Sequence, residues 1–541
     1  MKRLTGLSNE RGLAAIITLM VMIMMTLAGL AAMKMSSDEV DIAGNEMNEM
    51  AAFYAAEAGL EKATAAIQAG YDSTGYPPTL MPAGNETVND CQTVYAAVDD
   101  GPAQREVLAL GTLAGLYAMN KTYSIKSTGE SAIDGSRIEL AQNFQVSMIP
   151  LYQFAVFYEN DLEIAPGPDM TLIGRVHSNS NLWLQAGSNL YMQSFVTAAG
   201  DLRHGRKGPG GVAGGDVYIK DAQGNYRNMK NGDGSFLAST TADWFDSAMT
   251  RWNGRVQDKS FGQQALNLPL SNPGDPHKMI ERGTGNPDSY EHKATLKIMN
   301  GQAYAPIGGI WTDITSSLPS GTITASAFYD GRENRHVNSV DVDMSLLQTS
   351  PYFPSNGVVY ASDQRAGTFN ALRLTNGADI GRPISIFSEN PMYVRGDFNS
   401  VDKQPAALAA DAVTFLSNSW DDSRSTLGIN DRIASPTTCN ACIMTGNVET
   451  TSSDYNGGLE NLPRFLEKWT GKAFTYKGSL VNLWYSKQAT SPWSYGSYYT
   501  APIRDWSYDT DLDDPNKLPP ETPMIRVFQR VGWKQEYVGY N

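Results

Sequence analysis

The chain has almost no cysteine: Cys91, Cys439 and Cys442 are the only three in 541 residues. That excludes a scaffold framed by disulfides. Histidine is nearly as scarce, with five. No HExxH and no pair of CxxC motifs occurs, which excludes the common zinc modules. Charged residues make up only 18%, below the usual quarter. Acidic groups prevail, with Asp+Glu 57 against Lys+Arg 42 and a net charge of −15. Such a surface repels phosphate backbones, so no nucleic-acid partner is expected. Proline is missing from the amino-terminal stretch, Pro77 being the first. Apolar residues, at 41%, are too many for a disordered chain. The 26 tyrosines and 10 tryptophans suit extended β structure. The length allows three or four units.

What stands at the amino terminus is a long apolar run. Leu13 to Met33 reads LAAIITLMVMIMMTLAGLAAM, uncharged, with Thr18 and Thr26 its only polar side chains. As a helix it measures about 31 Å, the thickness of a bilayer's hydrocarbon core. Leu13, Ile16, Leu19, Met22, Leu27, Leu30 and Met33 mark this membrane helix, which is apolar all round. Lys2, Arg3 and Arg11, offset by Glu10, place that end in the cytoplasm and the rest of the chain across the membrane. The run is longer than a secretory signal's core, and Lys34 follows it directly, so a retained membrane helix is expected. The helix does not stop there. Met47, Met50, Tyr54 and Ala58 fall on one stripe, with acidic residues over much of the remaining surface. Gly44 and Gly59 weaken the helix by about 1 kcal/mol each without ending it. Leu13 to Ala69 is expected to form one rod, roughly 85 Å long.

Two signatures lie within that rod. Asn9-Glu-Arg-Gly12 followed by the apolar run, and Ile42-Ala-Gly-Asn45 followed by Ala52-Phe-Tyr-Ala-Ala-Glu-Ala-Gly-Leu-Glu61, resemble the start of PilX-type minor type IV pilins. Gly44, Asn45, Phe53, Ala56 and Glu57 carry the second signature. The resemblance extends from the amino terminus to the end of the rod, with a weaker match near 120–148. It implies cleavage after Gly12 by a prepilin peptidase, with Leu13 as the new, methylated amino terminus. It also implies packing of the helix against other pilins through the type IV assembly machinery. Major pilins carry Glu at the fifth mature position; here that residue is Ile17. This argues against a repeatedly polymerising subunit.

Residues 71–118 are poorly patterned, with Pro77, Pro78, Pro82 and Gly84 marking a connection. KTYSIKS (121–127) and RIELAQNFQVSM (137–148) flank a turn and predict a β-hairpin. From 152 onward, Asp161-Leu-Glu-Ile, Asn181-Leu-Trp-Leu and Asp201-Leu-Arg recur at a constant spacing, and Asp216-Val-Tyr-Ile repeats the shape. Short strands punctuated by Asn, Asp and Gly predict a parallel β-helix whose rungs must stack to bury their faces; a β-sandwich is the alternative. The segments expected are a leader (1–12), the transmembrane, pilin-like helix (13–70), a connecting region with hairpin (71–150), a first solenoid part (151–229), an α+β insertion (230–345), a second solenoid part (346–420) and a Tyr/Trp-rich α+β region (421–541). Trp244–Trp252 is expected as a short helix within the insertion, and Leu459–Trp469 as the one clear helix near the carboxyl end.

Few residues suggest chemistry. Cys439-Asn-Ala-Cys442 is a CxxC in loop surroundings, where a structural disulfide is expected outside the cytoplasm. Asp509, Asp511 and Asp513 alternate like the start of a calcium loop, but glycine at position six and glutamate at position twelve are missing, so calcium is only a weak candidate and no other cofactor is expected. His177, Arg175, Asp161, Asp169, Asp201 and the run Arg332–His336 can be read as a polysaccharide-cleaving face or as ordinary corner and ladder groups. No GxSxG elbow occurs, and no catalytic residue is assigned.

The sequence thus reads as a non-enzymatic, pilin-like protein. It is expected to be single-pass in the inner membrane, with a periplasmic head that reaches the cell surface on assembly. A tip or priming role and an adhesive head binding a surface ligand fit the aromatic-rich body. A membrane-anchored β-helix enzyme acting on carbohydrate and a structural envelope protein are the alternatives.

Overall fold

The computed structural model describes residues 10–109, 111–270, 274–283 and 285–537. Most of the expected leader, with Lys2 and Arg3, lies outside that set. The chain divides into two compact units: residues up to 103 with 121–146 and 528 onward, and residues 104–120 with 147–527.

The first unit is organised by one helix, Glu10–Thr74, about 97 Å long. It is the expected rod, extended by a few residues at each end. Its first half is bare: Leu13, Ile16, Leu19, Met22, Leu27, Leu30 and Met33 are 57–74% exposed. It is the one helix among the described residues long and apolar enough to cross a membrane. The second half packs on an antiparallel sheet. Its strands run in the order Ala83–Val88, Cys91–Asp99, Tyr117–Ser131, Arg137–Pro150 and Met524–Tyr537, and the last three enter the unit only in part. The expected hairpin is there, as Tyr117–Ser131 and Arg137–Pro150. The supposed connection before it also carries three strands, Ala83–Val88, Cys91–Asp99 and Gln104–Val107. The first and third bury no residue, so their sequences carry no apolar alternation.

The second unit is a coil of short strands stacked in parallel. Leu162–Ile164, Leu182–Leu184 and Leu202–His204 form one ladder. Met170–Leu172, Asn189–Met192 and Asp216–Lys220 form the next. Phe154–Tyr158, Arg175–Ser178 and Val196–Ala198 form a third. The constant spacing in the sequence is therefore one turn of chain: Leu162, Leu182 and Leu202 lie in register and fully buried. Asn181 joins the rungs at the corner. Its Nδ2 donates to Asp161 at 3.0 Å, and its Oδ1 accepts from the Asp201 amide at 2.9 Å.

The column is not stacked in chain order. Leu480–Asn482 pairs in parallel with Phe154–Tyr158. The same sheet continues outward through Cys442–Thr445, Ala406–Ala410, Ile384–Ser388, Val358–Ser362 and Leu296–Met299. The two stretches of coil are thus one column, and the first rung in sequence lies within it. Leu296–Met299 and Arg335–Asp343 are already rungs, although the sequence placed them in an insertion. The inner strands of this twelve-stranded sheet are buried on both faces. Leu408 faces the larger apolar cluster while Ala407 and Ala409 face the second, hence their continuous apolar runs.

Trp244–Trp252 forms the expected helix. Leu459–Trp469 does not. A single 3₁₀ turn, Leu459–Asn461, is followed by the strand Arg464–Phe465. Pro463 has no amide to donate and restricts the residue before it. Phe465 and Trp469 are taken into the coil's core instead.

Candidate functional site

The second half of the long helix is built for close approach. Ala52, Ala56, Leu60, Ala63, Ile67 and Tyr71 recur at helical spacing, and all are buried against the sheet. This is not the stripe expected from the sequence. Met47, Met50 and Tyr54 are more than half exposed. The reason is steric: alanines let the strand backbone sit almost on the helix. A Cβ added to Gly129 would lie 2.0 Å from the Ala52 carbonyl oxygen and 2.8 Å from the Ala56 nitrogen. Gly59 meets the sheet in the same way, with Ser127 Oγ 2.2 Å from where its Cβ would stand. Tyr71 and Tyr123 close the buried end through a 2.8 Å hydroxyl contact.

The signature residues thereby divide into two groups. Ala56 holds the helix to its own sheet, and Phe53 meets Trp533 edge to face at 6.3 Å between ring centres. Gly44, Asn45 and Glu57 do no such work. Nothing lies within 4 Å of a Cβ built on Gly44, and Asn45 and Glu57 are exposed. Glu57 borders a groove of about 390 Å³ lined with Leu60, Glu61, Gln142, Arg530 and Trp533. Beside it Arg530 pairs with Glu61 at 2.6 Å. The contribution of the carboxyl-terminal strand to this unit was not legible in the sequence. Gly12, exposed less than Leu13, and Leu13, largely exposed, both lie within the helix.

The chemical candidates fall elsewhere and apart. Cys439 and Cys442 are free thiols, both buried, which corrects the expected disulfide. They lie on successive strands of different sheets. Cys439 points into the larger apolar cluster and Cys442 into the second, so their side chains face apart. Burial pushes the Cys442 thiol well above its ordinary range. Asp509 and Asp511 converge on Lys403, whose Nζ stands 2.5 and 2.7 Å from them. Lys517 reaches Asp511 at 2.8 Å. Asp513 turns away to accept from the Tyr508 hydroxyl. An ammonium thus takes the place between carboxylates that calcium would need. Among the described residues no group of three His, Cys, Asp or Glu could hold a metal.

His177 sits inside a strand, not at a corner. It is buried and bonded to Thr197 and Asn179, and burial lowers its pKa to about 4. Asp161 and Asp169 serve as ladder groups for the rung above. Arg175 donates to the carbonyls of Thr112 and Ala114. These residues do not converge.

One carboxyl is held at a cost. Glu163 is buried beneath the loop 204–215. It accepts from the Lys207 amide at 3.0 Å, and Arg206 stands 3.8 Å away. Burial, with the charge of Glu460 adding to it, pushes its pKa up to about 7 from an ordinary 4.5. Between those pH values the folded chain holds a proton that the unfolded chain has lost, so stability falls as pH rises through the window. Glu163→Gln is expected to match the parent near pH 4.5. Above pH 7 it should exceed the parent by about 1–3 kcal/mol, as read from denaturant midpoints at the two pH values.

Comparisons with known proteins bear on the helix. Residues 11–61 match the family described as PilX N-terminal, so the resemblance of the two signatures holds over that stretch. No curated protein matches the chain. Among solved structures the chain is similar to the competence-associated pilin ComZ from Thermus thermophilus. The identity is 12%, over 91% of this chain and 98% of that one, with a TM-score of 0.29.

Proposed function

We propose that the chain is a pilin-like subunit of a type IV pilus or related secretion pseudopilus, and that its coil is an exported head and not an enzyme. The carrying observation is the helix Glu10–Thr74 within which the PilX N-terminal match falls. Its first half has no partner among the described residues, and its second half is fastened to a sheet. A bare apolar rod of that length is stored in the inner membrane, amino terminus inward. Lipid is as apolar as leucine, so burial alone does not draw the rod out. Extraction takes an assembly motor, and cohesion afterwards comes from helix–helix packing. Gly44 supports this reading. The chain's own fold leaves open space around it, whereas a neighbouring helix would need the small residue.

In this reading a prepilin peptidase cuts between Gly12 and Leu13, other pilins pack against the apolar half, and the head is presented at the tip or in a priming complex. Ile17 in place of glutamate suits a subunit used sparingly. Adhesion through the head is the role proposed for it, since no convergent set of catalytic groups is found among the described residues.

The test is the mature amino terminus. Mass spectrometry of the protein from its native envelope is expected to find methylated Leu13, with the chain present in sheared filaments. An intact Met1, or cleavage after Ala32, overturns the proposal in favour of an anchored or secreted protein.

A further inference from the structure

One groove lies wholly on the second unit. It follows the carboxyl ends of the parallel strands Arg335–Asp343, Phe369–Thr375, Met392–Arg395 and Val413–Leu416, and at one side the amino end of Ile323–Asp330, which runs antiparallel to the first of them. Its volume is about 520 Å³. Each rung contributes a polar group: Asp343, then Thr375 and Asn376, then Arg395 and Asp397, then Asn418. Asp343 lies in register with Thr375, and Arg395 with Leu416, just before Asn418. At about 4.8 Å between strands the row extends over roughly 14 Å.

Most of these groups are already fixed by the fold. Asp343 accepts from the Leu346 amide at 3.1 Å and from Asn376 Nδ2 at 2.6 Å. Asp397 accepts from the Thr438 amide at 2.8 Å. Asn418 Oδ1 accepts from the Asp397 amide at 2.9 Å, and its Nδ2 donates to the Pro436 carbonyl. Gly396 has to be glycine for this to hold. Its φ is +78°, and a Cβ there would meet Asn418 Oδ1 at 2.7 Å. Arg395 differs. It is exposed at the middle of the row, and no hydrogen bond from its guanidinium to another described residue is found. It lines the groove together with Asp343 and Asp397, and the acidic groups its charge acts on are Asp421 and Glu467.

This pattern selects a ligand class. Donors and acceptors stand side by side at fixed intervals, as the vicinal hydroxyls of a sugar require, because each hydroxyl both gives and accepts. The lining has no aromatic and no large apolar side chain, which excludes lipids and apolar peptides. Asp341 is neutralised by Arg373 at 2.5 Å. That leaves two carboxylates against one guanidinium, too little charge to attract a basic peptide and the wrong sign for polyuronates or nucleic acid. We infer that the groove binds a linear neutral glycan along the rungs, with Arg395 as the central donor and Asp343 and Asp397 accepting from hydroxyls beside it. The inference names the surface ligand of the proposed head and rests on that reading for its biological setting.

The experiment uses the full chain in detergent micelles. It is offered linear neutral oligosaccharides, a polyuronate and polylysine on an array, with titration calorimetry on any binder. Binding of a neutral glycan is expected, weakened about tenfold or more by Arg395→Ala. Asp397→Asn keeps the Thr438 bond and should weaken binding several-fold. Circular dichroism and melting temperature should match the parent for both variants, since Arg395 is exposed and the Asp397 acceptor survives as an amide oxygen. Three results overturn the inference: no neutral glycan bound, a preference for polyuronate or polylysine, or affinity unmoved by Arg395→Ala. Chain that binds no glycan but begins at methylated Leu13 sinks this inference alone. Chain that binds glycan but retains Met1 sinks the pilin reading alone.

Discussion

Gly129→Val is expected to separate the long helix from its sheet. The position tolerates no side chain: the first added carbon would stand 2.0 Å from a backbone oxygen of the helix and 2.8 Å from a backbone nitrogen. A flexible side chain could yield, but a helical backbone yields only by moving the whole rod. Overpacking a core commonly costs about 1–3 kcal/mol. Here the obstacle is backbone on both sides, so a loss upwards of about 3 kcal/mol is expected for the first unit. Tyr123 and Ile125 on the same strand, and Ala52, Ala56, Leu60 and Ile67 on the helix, lose their burial together. Limited proteolysis should then cut within the stretch 50–74, where the parent resists, and the melting transition of this unit should fall or vanish. The variant is also expected to be missing from filaments. Gly44→Leu is the contrasting case. Space around Gly44 is open, so proteolytic resistance should match the parent while incorporation is lost. Equal protease resistance of the Gly129→Val variant and the parent would refute the packing argument; normal incorporation of the Gly44→Leu variant would refute the reading of that glycine.

The sequence disclosed some of this and hid the rest, for reasons visible in particular residues. The membrane run was legible because an uncharged stretch from Leu13 to Met33 matches a bilayer in length and suits little else. The rungs at 162, 182 and 202 were legible because each turn of chain there has the same length and places Asp or Asn at its corner. The buried helix stripe was not. Alanine weighs little in an apolar pattern, while Met47, Met50 and Tyr54 weigh much, so the pattern pointed to the wrong face. The glycine that pairs with that stripe, Gly129, is distant from Ala56 in sequence and sits inside a strand pattern, where it reads as a weakness. The return of Leu480–Asn482 onto Phe154–Tyr158 joins the two extremes of the coil's sequence, and a three-residue strand with two apolar positions carries no address. Pro463 was the local sign against a helix at Leu459–Trp469, but the apolar spacing on either side outweighed it. The CxxC misled for a related reason. Such close spacing in a loop suggests facing thiols, whereas a corner between two sheets turns them into different apolar clusters. Of the groove along the rungs no member was singled out in the sequence, because its residues come from four rungs and meet only after stacking.

Arg464→Ala is expected to be the most damaging single change in the second unit. Arg464 pairs with Glu333 at 3.0 Å, with both side chains almost wholly buried. Its second terminal nitrogen donates to Ser486 Oγ at 3.2 Å and to the Ala489 carbonyl at 2.9 Å. Glu333 is held from the other side by the Ser491 amide at 3.1 Å. The pair thus fastens the turn at 331–334 and the segment 486–491 to the rung Arg464–Phe465. A buried ion pair contributes little net stability relative to an apolar pair of equal volume, because both charges have left water. Removing one partner is different. Alanine leaves the Glu333 carboxylate buried with one amide donor and opens a cavity beside it. A loss of about 3–5 kcal/mol follows, with a lowered denaturant midpoint for this unit and the first unit unaffected. The double variant Arg464→Met, Glu333→Leu removes both charges and refills the volume, and it should recover most of that loss. If Arg464→Ala unfolds at the parent's midpoint, the pair is not holding these segments. If the double variant is no more stable than Arg464→Ala, the cost lies in the lost bonds to Ser486 and Ala489 and not in the stranded charge.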